Sequence, residues 1–272
     1  MKSPVKSVVK TVKWWIAAGR NGVLDAMAYR FETLLGLVGG AVAPLVIQLL
    51  LWNSIFSAPG QTSFGGMTKH DLILYTFAST LFSQVRGGDL DFELADMIRT
   101  GQLSSYLLRP VSAIQFIYVR GSSTKFIIAG LSLLAGFVFI AFTGGSFYRL
   151  LGAMLMALIG NVIHYQMSAA MAAAAFYWEE AYSVLMVKNM IVSLLSGELI
   201  PLFLFPKSWE WIWKGTPFYL YVYGPAQYTL GNWSNTQFWT AMLIACGWVG
   251  IGALMIRFTW GLGMRRYLSI GG

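Results

Sequence analysis

The sequence predicts an all-α, polytopic membrane protein with six transmembrane helices. Three observations carry that prediction. Only 11% of the 272 residues are charged while 57% are hydrophobic, against about 25% and 45–50% in ordinary soluble domains. Uncharged apolar runs recur at lengths near the ~20 residues that a helix needs to cross the hydrocarbon. The basic residues also cluster in alternate connections, as the positive-inside bias requires. A soluble enzyme, a disordered tail and a disulfide scaffold are excluded, and the single Cys246 has no partner in the chain. The chain reads as one transmembrane domain over residues 1–272.

The elements follow in order. Residues 4–20 form an interfacial helix with Val5, Val8, Val9, Val12, Trp15 and Ile16 on one face and lysines on its flank; the plainer alternative is a frayed basic tail. No apolar signal region is present, because lysines interrupt it every three or four positions. The first span is Thr33–Trp52, kinked at Pro44, and Gly36 and Gly40 have the spacing that permits close packing. The second is the shorter run Leu72–Val85, opened by Thr68 as N-cap with Asp71 in the first turn. The third is Phe126–Thr143, on a helix started by the box Ser112–Gln115. The fourth is Leu150–Trp178. The fifth, Tyr182–Phe205, is interrupted by Lys188, Gly197–Glu198 and Pro201. The sixth is Phe238–Ile256, preceded by the box Ser234–Gln237.

In this frame fifteen Lys and Arg residues fall on the side of the N-terminus and only Lys69, Arg149, Lys207 and Lys214 on the other. Both termini are therefore expected in the cytoplasm. The net charge of +8 divides into +7 and +1, a topology signal and no nucleic-acid footprint. Glu179, Glu180 and Lys188 are expected to mark a solvated cytoplasmic turn.

Two connections are unusual. Residues 89–110 carry Asp89, Asp91 and Glu93 where a short helix would begin. Phe92, Ala95 and Ile98 would share its apolar face, offered either to a soluble partner or to the bundle itself. Residues 196–233 are apolar but broken by Pro201, Pro206, Pro217 and Pro225. An aromatic belt explains the tryptophans there, whereas the broken run implies a re-entrant hairpin buried against protein.

No Walker A, G-x-S-x-G, H-E-x-x-H or paired-cysteine pattern occurs, and no catalytic or metal constellation is expected. Asn161 and His164 share a face of the fourth span, with Gln166 elsewhere on the turn. They serve either as glue between helices or as substrate contacts. Glu198 serves either to cap or pair at the helix break or to meet substrate.

The order of these features resembles the permease subunit of ABC-2-type transporters. The similarity rests on Ile98-Arg-Thr-Gly-Gln-Leu-Ser-Ser-Tyr-Leu-Leu-Arg-Pro-Val-Ser112 and Ser196-Gly-Glu-Leu-Ile-Pro-Leu-Phe-Leu-Phe-Pro206. The resemblance implies two permease subunits, identical or related, in a bacterial inner membrane. It also implies two ATPase subunits that hold ATP and Mg²⁺, since the chain itself holds no cofactor. Asp91, Phe92, Asp96, Arg99, Leu103 and Arg109 would couple to the ATPase. Glu198, Pro201, Phe203 and Phe205 would line the outer gate. A hydrophobic or amphipathic substrate (drug, natural product, lipid or glycan) is implied, with export its direction. Contending readings are an integral-membrane enzyme using Glu198 and His164, and a secondary transporter.

Overall fold

The computed structural model describes residues 4–86, 90–108, 112–178 and 180–270, with side chains undescribed at 4–12, 30, 32, 33, 37, 124–126 and 268–270. Every regular element among them is helical. The order is α1 (Pro4–Ala28), α2 (Arg30–Phe56), α3 (Lys69–Arg86), α4 (Leu90–Arg99), α5 (Leu103–Leu107), α6 (Ala113–Thr143), α7 (Phe147–Ala172), α8 (Ala181–Leu195), α9 (Glu210–Lys214), α10 (Tyr223–Thr229) and α11 (Asn235–Ile270). Short 3₁₀ turns occupy 173–176, 202–204, 207–209 and 218–220.

Among the described residues, four helices are long and apolar enough to cross a membrane: Leu34–Phe56 in α2, α6, Phe147–Phe176 and Asn235–Tyr267 in α11. The other two expected spans fall short. The 18 residues of α3 bury Thr76, Ser79 and Ser83, and each hydroxyl bonds a carbonyl of its own helix. The 15 residues of α8 extend only about 22 Å at ~1.5 Å per residue, less than the ~30 Å hydrocarbon thickness.

Directions alternate along the chain. Gln84 donates to the Gly40 carbonyl at 2.9 Å and Trp52 Nε1 to Thr76 Oγ1 at 2.8 Å, which makes α2 and α3 antiparallel. Pairs such as Tyr118–Tyr165, with rings stacked at 3.9 Å, make α6 and α7 antiparallel. Gln166 beside Gly252 and Phe176 beside Gly263 make α7 and α11 parallel. The end of the bundle carrying α1, α4 and α5 is called proximal here, and the opposite end distal.

Local chemistry explains several boundaries. Thr68 and Asp71 bond each other reciprocally at the start of α3, and Ser234 and Gln237 do so at the start of α11, both capping boxes. Ser112 occupies the N-cap of α6 without a side-chain capping bond, so the expected box there is absent. The interfacial helix runs eight residues beyond its expected end, because its second half packs on α6. Gly22 faces the Arg120 carbonyl so closely that an added Cβ would lie 2.0 Å from it. Ile16, on the expected apolar face, is exposed, and Ala18 is buried. Val5 to Val12 lie outside the described side chains. Gly40 contacts α3 while Gly36 meets nothing within 4 Å. The helix α2 continues through Pro44.

Two hydrophobic cores result. A distal core joins α3, α7, α10 and the start of α11 around Tyr75, Phe82, Met156, Tyr221 and Tyr228. A proximal core gathers Leu94, Met97, Leu103, Phe116, Tyr165, Phe176 and Trp260.

Candidate functional site

The break after α8 organises the polar interior. A helix that stops inside the bundle leaves its last carbonyls without intrahelical donors, and unsatisfied carbonyls in an apolar interior are costly. The last carbonyls of α8 are met locally, Val192 by the Ser196 N–H and Leu194 by the Gly197 N–H, and three other elements supply donors to the carbonyls just beyond the helix. The backbone N–H of Tyr223 bonds the Ser196 carbonyl at 3.0 Å. The Tyr75 hydroxyl donates to the Gly197 carbonyl at 2.8 Å, and Gln48 Nε2 to that of Glu198 at 2.8 Å. Gly197 takes φ +78°, and a Cβ there would meet Tyr75 Oη at 2.8 Å and the Tyr223 Cβ at 3.0 Å. Only glycine satisfies both demands without strain. The following chain returns to mid-bundle at Tyr221, whose ring touches Gly160 near the centre of α7.

Two ion pairs tie α8 and this break to the α3–α4 segment. Arg86, the last residue of α3, bonds Glu198 at 2.7 Å, with 13% and 22% of the two side chains accessible. Asp91, in the first turn of α4 and 1% accessible, pairs with Lys188 at 2.7 Å. Asn189 donates to the same carboxylate oxygen, and Lys188 also donates to Ser168 on α7. Lys188, expected in a solvated turn, is thus an interior cation held by a carboxylate. The partner turn residue Glu179 lies outside the described residues.

This arrangement sorts the residues predicted to couple to a partner. The buried side of α4 is Asp91, Leu94, Met97 and Ile98, a register different from the expected Phe92, Ala95 and Ile98. Phe92 is half-buried against the Tyr182 ring at 4.5 Å. Leu103 is fully buried. The exposed side is Glu93, Asp96 and Arg99, with Asp96 and Arg99 paired at 2.9 Å. Desolvation beside α1 and α6 pushes the Glu93 carboxyl up, with Arg120 opposing and Asp25 reinforcing that shift. Arg109, like Asp89, lies outside the described residues.

The three candidate pathway residues diverge. Asn161 donates to the carbonyls of Val85 and Arg86 and accepts from the Tyr118 hydroxyl, so it caps the end of α3. His164 is buried and meets the Tyr221 ring edge-on at 5.5 Å. Gln166 is buried against Gly252, and its Oε1 has no hydrogen-bond partner among the described residues. Of the candidate gate residues, Phe203 packs edge-on to Tyr75 at 5.6 Å, Phe205 stacks on Trp209, and Pro201 starts the turn that carries Phe203. Among the described residues no group of three His, Cys, Asp or Glu could hold a metal ion.

Sequence reasoning missed Arg86, Asn189 and Gln48 as members of this centre. A usable signal existed for Asp91, since it falls three residues before Leu94 and six before Met97, on the apolar stripe.

A helical membrane protein with a broken helix at its centre, clamped by buried ion pairs to its neighbours, has the build of a transport subunit. The chain matches the ABC-2 family transporter proteins over residues 42–271, and it belongs to that family. No curated protein matches it.

Proposed function

We propose that the chain is the transmembrane permease subunit of an ABC exporter, with six crossings in which α3 and α8 complete the set. The observation that supports this best is α4. Its Glu93, Asp96 and Arg99 face outward at the proximal end, while Asp91 on its opposite side engages α8. A soluble ATPase pressing on the first face would move α8, and through Arg86 and Glu198 the broken segment beyond it. Residues 196–233 are then the re-entrant hairpin of an outer gate, and residues 89–110 the coupling region. The proximal end lies in the cytoplasm on this reading, in agreement with its excess of basic residues.

ATP and Mg²⁺ are held by two partner ATPase subunits. A second permease, identical or related, completes the pathway. The apolar faces of α2 and α8 remain exposed in the single chain, with Leu35, Ile47, Met186 and Met190 each more than half accessible, and are available to it or to lipid. The substrate class is hydrophobic or amphipathic, exported across a bacterial inner membrane.

The test is a charge swap on the exposed face. Exchanging Asp96 and Arg99 (D96R/R99D) preserves their mutual pair, and an exposed pair contributes at most about 1 kcal/mol. The swapped protein should melt as the parent does, yet lose most substrate-stimulated ATPase activity when reconstituted with its ATPase. Undiminished stimulation would refute the assignment of α4.

A further inference from the structure

A pocket of about 670 Å³ opens at the distal end between residues 202–214 and the first turns of α11. Its size lies within the ~300–1,000 Å³ of ligand sites. The floor consists of Trp213, Tyr219 and Tyr223, all buried. Their rings and that of Trp233 pack on one another at centroid distances of 5.5–6.4 Å. Rings this closely packed make a continuous apolar floor and leave no separate cage for a quaternary ammonium group.

The wall formed by α11 is graded. Thr236, Gln237 and Thr240 line its distal part, and Ala241 and Ile244 line the part nearer the bundle centre. The neighbouring stripe of α11, Trp239 and Leu243, is 56% and 75% accessible, so the pocket borders the lipid-facing surface. The charges are graded in the same sense. Glu210 is already paired with Lys214, whereas Lys207 at the rim makes no ion pair among the described residues. Asn232, also at the rim, bonds Gln227 with one N–H and retains a second donor.

We propose that this pocket binds an anionic membrane lipid from the distal leaflet, its phosphate at Lys207 and Asn232 and its hydrocarbon against Ala241 and Ile244. One uncompensated lysine at the mouth of a slot with an apolar floor is chemistry by which a membrane protein can hold an acidic head group. The inference does not depend on ATP coupling or on which side is cytoplasmic, so its failure would leave the proposed function standing.

The full chain is to be placed in nanodiscs of phosphatidylglycerol and phosphatidylcholine, extracted, and weighed with its retained lipid by native mass spectrometry. Phosphatidylglycerol should be retained over phosphatidylcholine. Lys207→Gln should weaken that retention about fivefold, the effect of one lysine at an anionic head group. Lys69→Gln, at the same end but outside the pocket, should not. Ala241→Trp should abolish retention by filling the slot, with Thr240→Trp as the second filler should the first misfold. Equal retention of both lipids, equal loss on Lys69→Gln, or retention that survives both fillers would overturn the proposal. So would thermal stabilisation by inorganic phosphate alone equal to that by phosphatidylglycerol.

Discussion

Replacing Arg86 by Met should cost the folded protein roughly 3 kcal/mol. The carboxylate of Glu198 would stay inside the bundle with its cation gone, 22% accessible and 2.7 Å from where the guanidinium stood. Removing one member of a buried pair costs about 3–5 kcal/mol, and partial access to water places this pair at the lower end. At about 2–4 °C per kcal/mol, the melting temperature in detergent should fall by some 6–12 °C. Glu198→Leu should behave alike, since it strands Arg86, whose Nε has no partner among the described residues. The decisive comparison is the double variant R86M/E198L. An apolar pair of similar volume is often as stable as the ion pair it replaces, so the double should melt above either single. Fluorescence-monitored melting of the purified proteins provides the measurement. A double variant whose loss equals the sum of the two singles would show that the residues do not interact, and the clamp would be refuted.

Gly197→Ala should destabilise by about 2 kcal/mol or more, because left-handed backbone costs an alanine ~1–2 kcal/mol and its Cβ would displace the Tyr75 hydroxyl; an unchanged melt would contradict the tight turn. Gln166→Leu should be neutral or slightly stabilising, since a buried oxygen without a partner is removed. Loss of transport at unchanged stability would instead make Gln166 a pathway residue. Glu93→Gln should raise the melting temperature near neutral pH. The carboxyl is held above its ordinary value in the fold, so its ionised form costs stability that disappears as pH falls toward about 4. A gain that persists at acid pH would refute that origin.

Local signals in the sequence proved informative where the physics is local. The caps at Thr68 and Ser234 follow from side chains three residues apart, and the break after Leu195 follows from Gly197 and Pro201. Apolar runs located the four long helices directly. The second and fifth runs were harder, because α3 carries buried hydroxyls that lower its apolarity and α8 stops at the break after Leu195. The ion pairs lay beyond local reading. Lys188 looked like a turn residue because its partner Asp91 is 97 positions away, and Arg86 falls just past the second apolar run with its partner Glu198 112 positions away. Pairing over such separations leaves no periodicity. The α1–α6 contact escaped for a related reason: Gly19 and Gly22 signal close approach but not the helix approached.

The hydroxyl-bearing α3 also has a consequence for biogenesis. With Thr76, Ser79 and Ser83 turned inward, it presents a weak apolar signal to the insertion machinery when it emerges alone. Its one early partner is α2, already joined to it by a short connection and bonded to it at Trp52–Thr76 and Gln84–Gly40. On the proposed six-crossing reading, the two helices would enter the bilayer as a hairpin. Trp52 and Gln84 would then hold α3 to α2 before α7 exists to cover it.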